Sequence, residues 1–236
     1  MIEARGLHKR FGAVDVLRGV DLRIARGRVT AIVGPNGAGK TTFIKSVLGL
    51  TRPDGGTLTF DGTAIGKDDA YRARIGYMPQ IARFPEHLTG AELLDLLCDL
   101  RGGCAVHERL AEPFGLQSEL GKKLRVLSGG TRQKVNAVAA FLFSPELYVL
   151  DEPTAGLDPV SSGILKARIL SERAQGNTVL LTSHIMSEID ELADDVIYLA
   201  DGCVRFTGAV TDLKAAMGQR KLERAIAELM LREAAA

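Results

Sequence analysis

The spacing of apolar positions changes several times along the 236 residues, and each change predicts a different element. Ile2 to Leu7, then Val20, Leu22 and Ile24 spaced by two, predict half-buried strands, with turns at Gly12, Gly19 and Gly27. Val29-Thr30-Ala31-Ile32-Val33 follows as a short continuous strand. Asp54-Gly55-Gly56 opens a hairpin-like stretch through Thr57 and Phe60 to Asp61-Gly62, a further β element before the chain reaches Ile75-Gly76-Tyr77. From residue 86 to 142 the period becomes helical, with Leu93, Leu94, Leu96, Leu97 and Leu100, then Val135, Val138, Ala139 and Leu142. Strand character returns in Leu147 to Leu150, Val179 to Leu181 and Val196 to Leu199. Runs that are apolar throughout suit parallel strands buried on both faces. The last stretch, Lys221 to Arg232, sets Leu222, Ile226, Leu229 and Met230 on one helical face. These periods predict a helical lobe inserted into an α/β core.

Composition narrows the classes of partner. Hydrophobic residues make up 46% of the chain, enough for a sizeable core, and disorder is excluded. Thirty basic against twenty-nine acidic side chains leave a net charge of +1, so no long-range field draws the chain to nucleic acid, and no nucleic-acid partner is expected. Cys98, Cys104 and Cys203 are odd in number and lack C-x-x-C spacing. This argues against a disulfide framework or a zinc site and favours a reducing, cytoplasmic compartment. The longest apolar stretches, such as Ala137 to Phe143, fall far short of the ~20 residues of a membrane-spanning helix.

The most specific chemistry follows the strand at Val29 to Val33. Gly34-Pro35-Asn36-Gly37-Ala38-Gly39-Lys40-Thr41-Thr42 is a complete G-x-x-x-x-G-K-[ST] phosphate-binding loop. Its glycines let successive backbone N–H groups turn inward around an anion, and a helix starting near Lys40 adds its positive end. Lys40 would reach the β- and γ-phosphates of a nucleoside triphosphate, and the Thr41 hydroxyl would bind Mg²⁺. Asp151-Glu152 ends another apolar strand, at the carboxyl edge where parallel sheets bind ligands. There Asp151 would hold Mg²⁺ and Glu152 would act as general base on the attacking water. An isolated Asp-Glu pair is more often a surface strand end; the four apolar residues before it and Pro153-Thr154 after it favour the catalytic reading.

With Leu127-Ser128-Gly129-Gly130 between these motifs, the chain resembles the nucleotide-binding domain of ABC transporters along nearly its whole length. Ser-Gly-Gly alone is a common loop. Here it looks like the family signature, a Ser-capped helix start whose Ser128, Gly129 and Gly130 expose donors to a phosphate. The resemblance carries further residues. Phe11 aligns with the aromatic that stacks on adenine, although a core Phe is the commoner role. Gln80 aligns with the glutamine that senses Mg²⁺ at the join to the helical lobe, and Asp158 with the aspartate that faces the partner subunit. His184 aligns with the switch histidine on the γ-phosphate, although a lone His is usually structural. Thr131 stands where the family usually has Gln, which puts any contact of that amide in doubt. Lys122 to Val126 replace the Gly-Glu-Arg-Gly type of loop, which tilts the reading toward the ABC-2-like class.

The resemblance implies an α/β fold, a P-loop NTPase (RecA-like) core with an N-terminal antiparallel β subdomain over about residues 1–81 and 143–210, an inserted α-helical subdomain over about 82–142 and a C-terminal helix over about 219–233. It implies an ATP hydrolase that closes as a head-to-tail dimer, a homodimer or ABC heterodimer, around two ATP molecules. A separate transmembrane permease subunit would hold it on the cytoplasmic face of the inner membrane, with a coupling helix near Gln80 and Ile81 to Thr89. A soluble ABC ATPase acting on DNA or ribosomes is the alternative, but those relatives usually carry paired domains, long coiled coils or zinc insertions. A P-loop kinase or GTPase would not account for the signature. The segments Gly76 to Glu86 and Ser128 to Val135 are also similar to the ATPase subunit of the copper-processing ABC system of nitrous oxide reductase maturation.

Overall fold

The ends of the strands place the site, and the alternation of side chains along them builds the core on both sides. The computed structural model describes residues 1–66, 68–103 and 107–234. Its strands are β1 (Ile2–Phe11), β2 (Val14–Ile24), β3 (Val29–Val33), β4 (Gly55–Phe60), β5 (Thr63–Ala64), β6 (Ile75–Met78), β7 (Leu147–Asp151), β8 (Thr178–Thr182), β9 (Asp195–Ala200) and β10 (Cys203–Ala209). The helices are α1 (Lys40–Val47), α2 (Gly90–Leu100), α3 (His107–Ala111), α4 (Gly129–Ala140), α5 (Pro159–Ala174), α6 (Met186–Leu192), α7 (Val210–Ala216) and α8 (Leu222–Ala234).

An antiparallel sheet runs β2-β1-β4-β5, and a second sheet runs β10-β9-β3-β8-β7-β6. In the second, β9, β3, β8, β7 and β6 are parallel and β10 is an antiparallel edge. Because side chains alternate along a strand, this sheet feeds two cores. Val29, Ala31 and Val33 of β3, Tyr148 and Leu150 of β7, and Val179 and Leu181 of β8 pack with α5 and α6. Ile32, Leu147, Val149 and Leu180 point the other way, onto Phe43, Ile44 and Val47 of α1 and the antiparallel sheet. Continuous apolar runs in the sequence are the trace of this two-sided burial.

The turns at Asp61-Gly62 and Asp201-Gly202 have φ of 49° and 78°, and of 50° and 76°, the paired left-handed residues of tight hairpins. Gly19 departs from the expected turn. It lies inside β2, as the extra residue between the pairs Leu7–Val20 and His8–Arg18, and so marks a bulge.

Between β6 and β7 the helices have their own buried cluster, including Leu93, Leu94, Leu120, Leu127, Val135 and Val138. Thr89 and Glu92 form a capping box at the start of α2, while Leu96 and Leu100 of its apolar pattern are exposed. Arg101 fastens the lobe to the core, donating to the carbonyls of Ala73 and Ile75 at 3.0 Å each and lying over the Phe143 ring. Cys98 is disulfide-bonded and Cys203 is free, while Cys104 lies outside the described residues. This corrects the expectation at Cys98, since an odd count rules out complete pairing but not one bond. In α8, Leu222, Ala225 and Ile226 face inward, whereas Met230, expected on that face, is 45% exposed. Among the described residues no helix is long and apolar enough to cross a membrane.

At the end of the sheet away from the strand carboxyl termini, Arg26 and Arg74 both pair with Asp61 and Glu146. Arg74 Nε lies 2.5 Å and Arg26 Nη1 2.8 Å from Glu146, and Arg74 also stacks on the Phe60 ring. The hydrogen bonds from Arg74, then Arg26, pull the Glu146 carboxyl down to about 2.

Candidate active site

The phosphate-binding loop is built where β3 ends, and the close approach of two neighbouring strands dictates its glycines. A Cβ on Gly34 would stand 1.9 Å from the Leu199 carbonyl oxygen of β9, and one on Gly39 would stand 2.8 Å from the Val16 carbonyl oxygen of β2. Gly39, at φ 104°, precedes α1, and no side chain caps that helix, which leaves its first turn open to an anion. Lys40 is buried, with Nζ donating to the carbonyls of Gly34 at 2.7 Å and Pro35 at 3.1 Å. Burial lowers its pKa, and the charges of Glu152 and Asp151 oppose that shift.

A cavity of about 410 Å³ collects Asn36 to Thr42 of the loop with Val14, Val16, Gln80, Asp151, Glu152 and His184. A larger groove, about 580 Å³, runs from Gln80 and Ile81 to Gly129 and Gly156, but holds neither Lys40 nor the two acids. The smaller one therefore has the chemistry.

Asp151 is the last residue of β7 and accepts a hydrogen bond from Thr182 Oγ1 at 2.6 Å. Glu152 follows at φ 52°, a left-handed conformation that costs a side-chain-bearing residue about 1–3 kcal/mol. Its N–H donates to both Oγ1 and the carbonyl of Thr182, at 3.0 and 3.2 Å. Its carboxylate meets His184 twice, through Nε2 at 3.1 Å and the backbone N–H at 3.3 Å. The sequence reading missed Thr182. Its signal was a polar residue closing the apolar run Val179-Leu180-Leu181, in register with Asp151.

Two buried amides of α4 were missed as well. Asn136 donates to the Pro79 carbonyl at 2.8 Å, next to Gln80, and to Gln133 Oε1 at 3.2 Å. Gln133 in turn donates to the Pro153 carbonyl at 3.4 Å, next to Glu152. The helix that begins at the signature thus touches the backbone beside two cavity residues. No periodicity argument distinguishes such amides from ordinary polar positions.

The other expected site residues lie apart. Ser128 caps α4, accepting from the Thr131 N–H at 3.1 Å, and its hydroxyl meets that of Thr131 at 2.8 Å. Ser128, Gly129 and Gly130 do not line the cavity of their own chain's phosphate loop. Asp158 caps α5, accepting from the N–H and Oγ of Ser161 and from Lys134 Nζ. Those bonds, that of the Ser161 N–H foremost, hold its carboxyl well below the usual range. Phe11 is no core residue. It is 51% exposed at the tip of β1, with Lys9 Nζ 5.1 Å from its ring centre.

The residues present fit a small divalent cation. Thr41 and Asp151 offer two hard oxygen donors beside a phosphate cradle, and among the described residues no cage of three or more His, Cys, Asp or Glu is gathered. Such a set suits Mg²⁺, which keeps waters and takes phosphate oxygens as ligands.

A family profile described as ABC transporter matches residues 17–155, and one described as AAA domain, putative AbiEii toxin, Type IV TA system matches the shorter span 121–190. The chain is 37% identical to the daunorubicin resistance ATP-binding protein DrrA3 of Streptomyces coeruleorubidus, over 99% of this chain and 74% of that protein. It is 35% identical to the Nod factor export ATP-binding protein I of Ralstonia nicotianae, over 86% of this chain and 65% of that protein. A solved ATP-binding subunit of an ABC transporter superposes with a TM-score of 0.90 at 33% identity, covering 98% of this chain and 99% of that one. At 24% identity, a dimeric ATP-binding cassette in a post-hydrolysis state with ADP and Pi shares the fold, with a TM-score of 0.80 over 89% of this chain and 98% of that one. The chain belongs to the ABC transporter family, as one of its ATP-binding, ATP-hydrolysing subunits.

Proposed function

We propose that this subunit drives export through a separate ABC-2-like membrane subunit, by closing head to tail with a second copy or a related cassette around two ATP molecules. One observation carries the reading: Lys40, Asp151, Glu152 and His184 share a cavity that the chain's own signature does not reach. A second chain would supply Ser128, Gly129 and Gly130 from the other side, with Asp158 close to the join. The similarity to the Nod factor export ATP-binding protein I supports the direction of transport, and none of the relatives named above speaks for the copper-processing system.

The loop N–H groups and Lys40 bind the phosphates, and Phe11 stacks on adenine. Thr41, Asp151 and Gln80 would hold Mg²⁺, which neutralises phosphate charge when bound. Glu152 takes a proton from the attacking water as its oxygen bonds to the γ-phosphorus and ADP leaves. His184, bonded twice to the Glu152 carboxylate, orients that base toward the γ-phosphate. The permease would dock on the groove beside Gln80, where Ile81 is 72% exposed, and would hold the subunit at the cytoplasmic face of the inner membrane.

Composite sites give the test. In a Glu152→Gln background, Lys40→Ala and Ser128→Arg homodimers each have two damaged sites. A mixture forms heterodimers with both lesions in one site and none in the other. The mixture alone is expected to occlude labelled ATP. If subunit exchange is verified and the mixture occludes no more than either parent, the head-to-tail site is wrong.

A further inference from the structure

Among the buried polar side chains of the parallel sheet, Thr182 stands out by what its hydroxyl touches. Its relative exposure is 0%, and it ends β8 directly opposite Asp151. The Glu152 N–H is a donor, so at 3.0 Å the Thr182 oxygen accepts from it. The single hydroxyl proton is then left for Asp151 Oδ1, at 2.6 Å, a short contact of the kind a charged acceptor makes. The direction of both bonds is therefore fixed. One oxygen atom sets the rotamer of the Asp151 carboxylate and helps hold the Glu152 backbone at φ 52°, where an unassisted Glu is strained. The second Asp151 oxygen has no hydrogen-bond partner among the described residues, and Asp151 lines the cavity.

We propose that Thr182 is a positioning residue for ATP hydrolysis, acting through Asp151 and Glu152 at once. The proposal rests on the reading of those two acids as cation holder and general base. A purely structural threonine in this sheet looks different. Thr30 of β3 is equally buried, yet its Oγ1 has no hydrogen-bond partner among the described residues. A valine has the same shape as threonine, so exchanging either residue for valine removes a hydroxyl and little else.

The experiment compares Thr182→Val, Thr182→Ser and Thr30→Val with the unmodified chain. Steady-state hydrolysis gives kcat and KM, and a fluorescent ATP analogue titrated in EDTA and in Mg²⁺ gives binding without turnover. For Thr182→Val the expected result is a kcat reduced at least about tenfold, affinity in EDTA unchanged, and a weakened gain in affinity on adding Mg²⁺. Thr182→Ser keeps the hydroxyl and is expected to stay within about threefold of the parent in all three, and Thr30→Val to match the parent. Should Thr182→Val not fold, Thr182→Ala and Thr182→Cys carry the same comparison against Ser. The proposal is overturned if valine keeps kcat within threefold, if serine loses as much as valine, or if valine weakens binding in EDTA as much as in Mg²⁺. Glu152→Gln runs alongside. If it is inactive while Thr182→Val is not, only the role of Thr182 falls; if it still turns over, the reading of the acids falls and this proposal with it.

Discussion

The two ends of the central sheet hold similar charges in opposite ways. At the base, Arg26, Arg74, Asp61 and Glu146 neutralise one another in a closed set, partly open to water. At the carboxyl edge Lys40, Asp151 and Glu152 are all buried, yet Lys40 donates only to carbonyl oxygens and forms no ion pair among the described residues. Charges satisfied by each other stabilise a fold and have little left to offer a ligand. Charges kept apart in a low-dielectric cleft act strongly on whatever enters. The contrast separates stability from catalysis within one sheet.

The largest effect is expected from Glu152→Gln, which removes the carboxylate proposed as the base and leaves the phosphate cradle. Hydrolysis should fall roughly 10²–10⁴-fold with ATP binding retained. Size-exclusion chromatography with ATP and Mg²⁺ should then show a trapped dimer; a persistent monomer at saturating nucleotide would count against the sandwich.

Next comes Gly34→Ala, which forces a methyl against the Leu199 carbonyl. Displacing the loop should weaken ATP binding about tenfold or more and lower the melting temperature, since a clash with backbone has no cheap relief. Unchanged affinity would show that the loop tolerates a Cβ there.

The smallest effect belongs to the base. Glu146→Gln should cost about 1 kcal/mol or less in urea unfolding, because the pair is half-exposed and screened, and should leave turnover per folded molecule unchanged. Its sign with pH follows from the carboxyl lying at about 2 in the folded chain against an ordinary 4.5. A depressed acid contributes fully above 4.5 and loses its contribution as pH falls toward 2. The stability gap between parent and variant should therefore shrink over that window, and also in high salt. A gap that widens on acidification would place the network's energy elsewhere.

Much of the architecture was legible because burial on both faces leaves continuous apolar runs. Leu147 to Leu150 and Val179 to Leu181 are strands on that ground alone. The Gly19 bulge escaped because a glycine between apolar residues reads equally as a turn or as an extra residue in a ladder. Met230 escaped because helical spacing does not say which face a neighbour will cover. At the site, Lys40, Asp151, Glu152 and His184 were legible as residue types in order. Their contacts were not, since Thr182, Gln133 and Asn136 act through hydrogen bonds that reach across 20 to 57 residues of chain. Only the folded register reveals such partners.

The meeting of Gly34 with Leu199 has a consequence for synthesis on the ribosome. The nucleotide-binding motif is complete at Thr42, but β9, the strand that walls in its glycine, begins only at Asp195. A nascent chain therefore carries the complete motif long before it carries the site. Until that strand has emerged and paired with β3, the loop has a free edge, and ATP offers no stabilisation to the half-made protein.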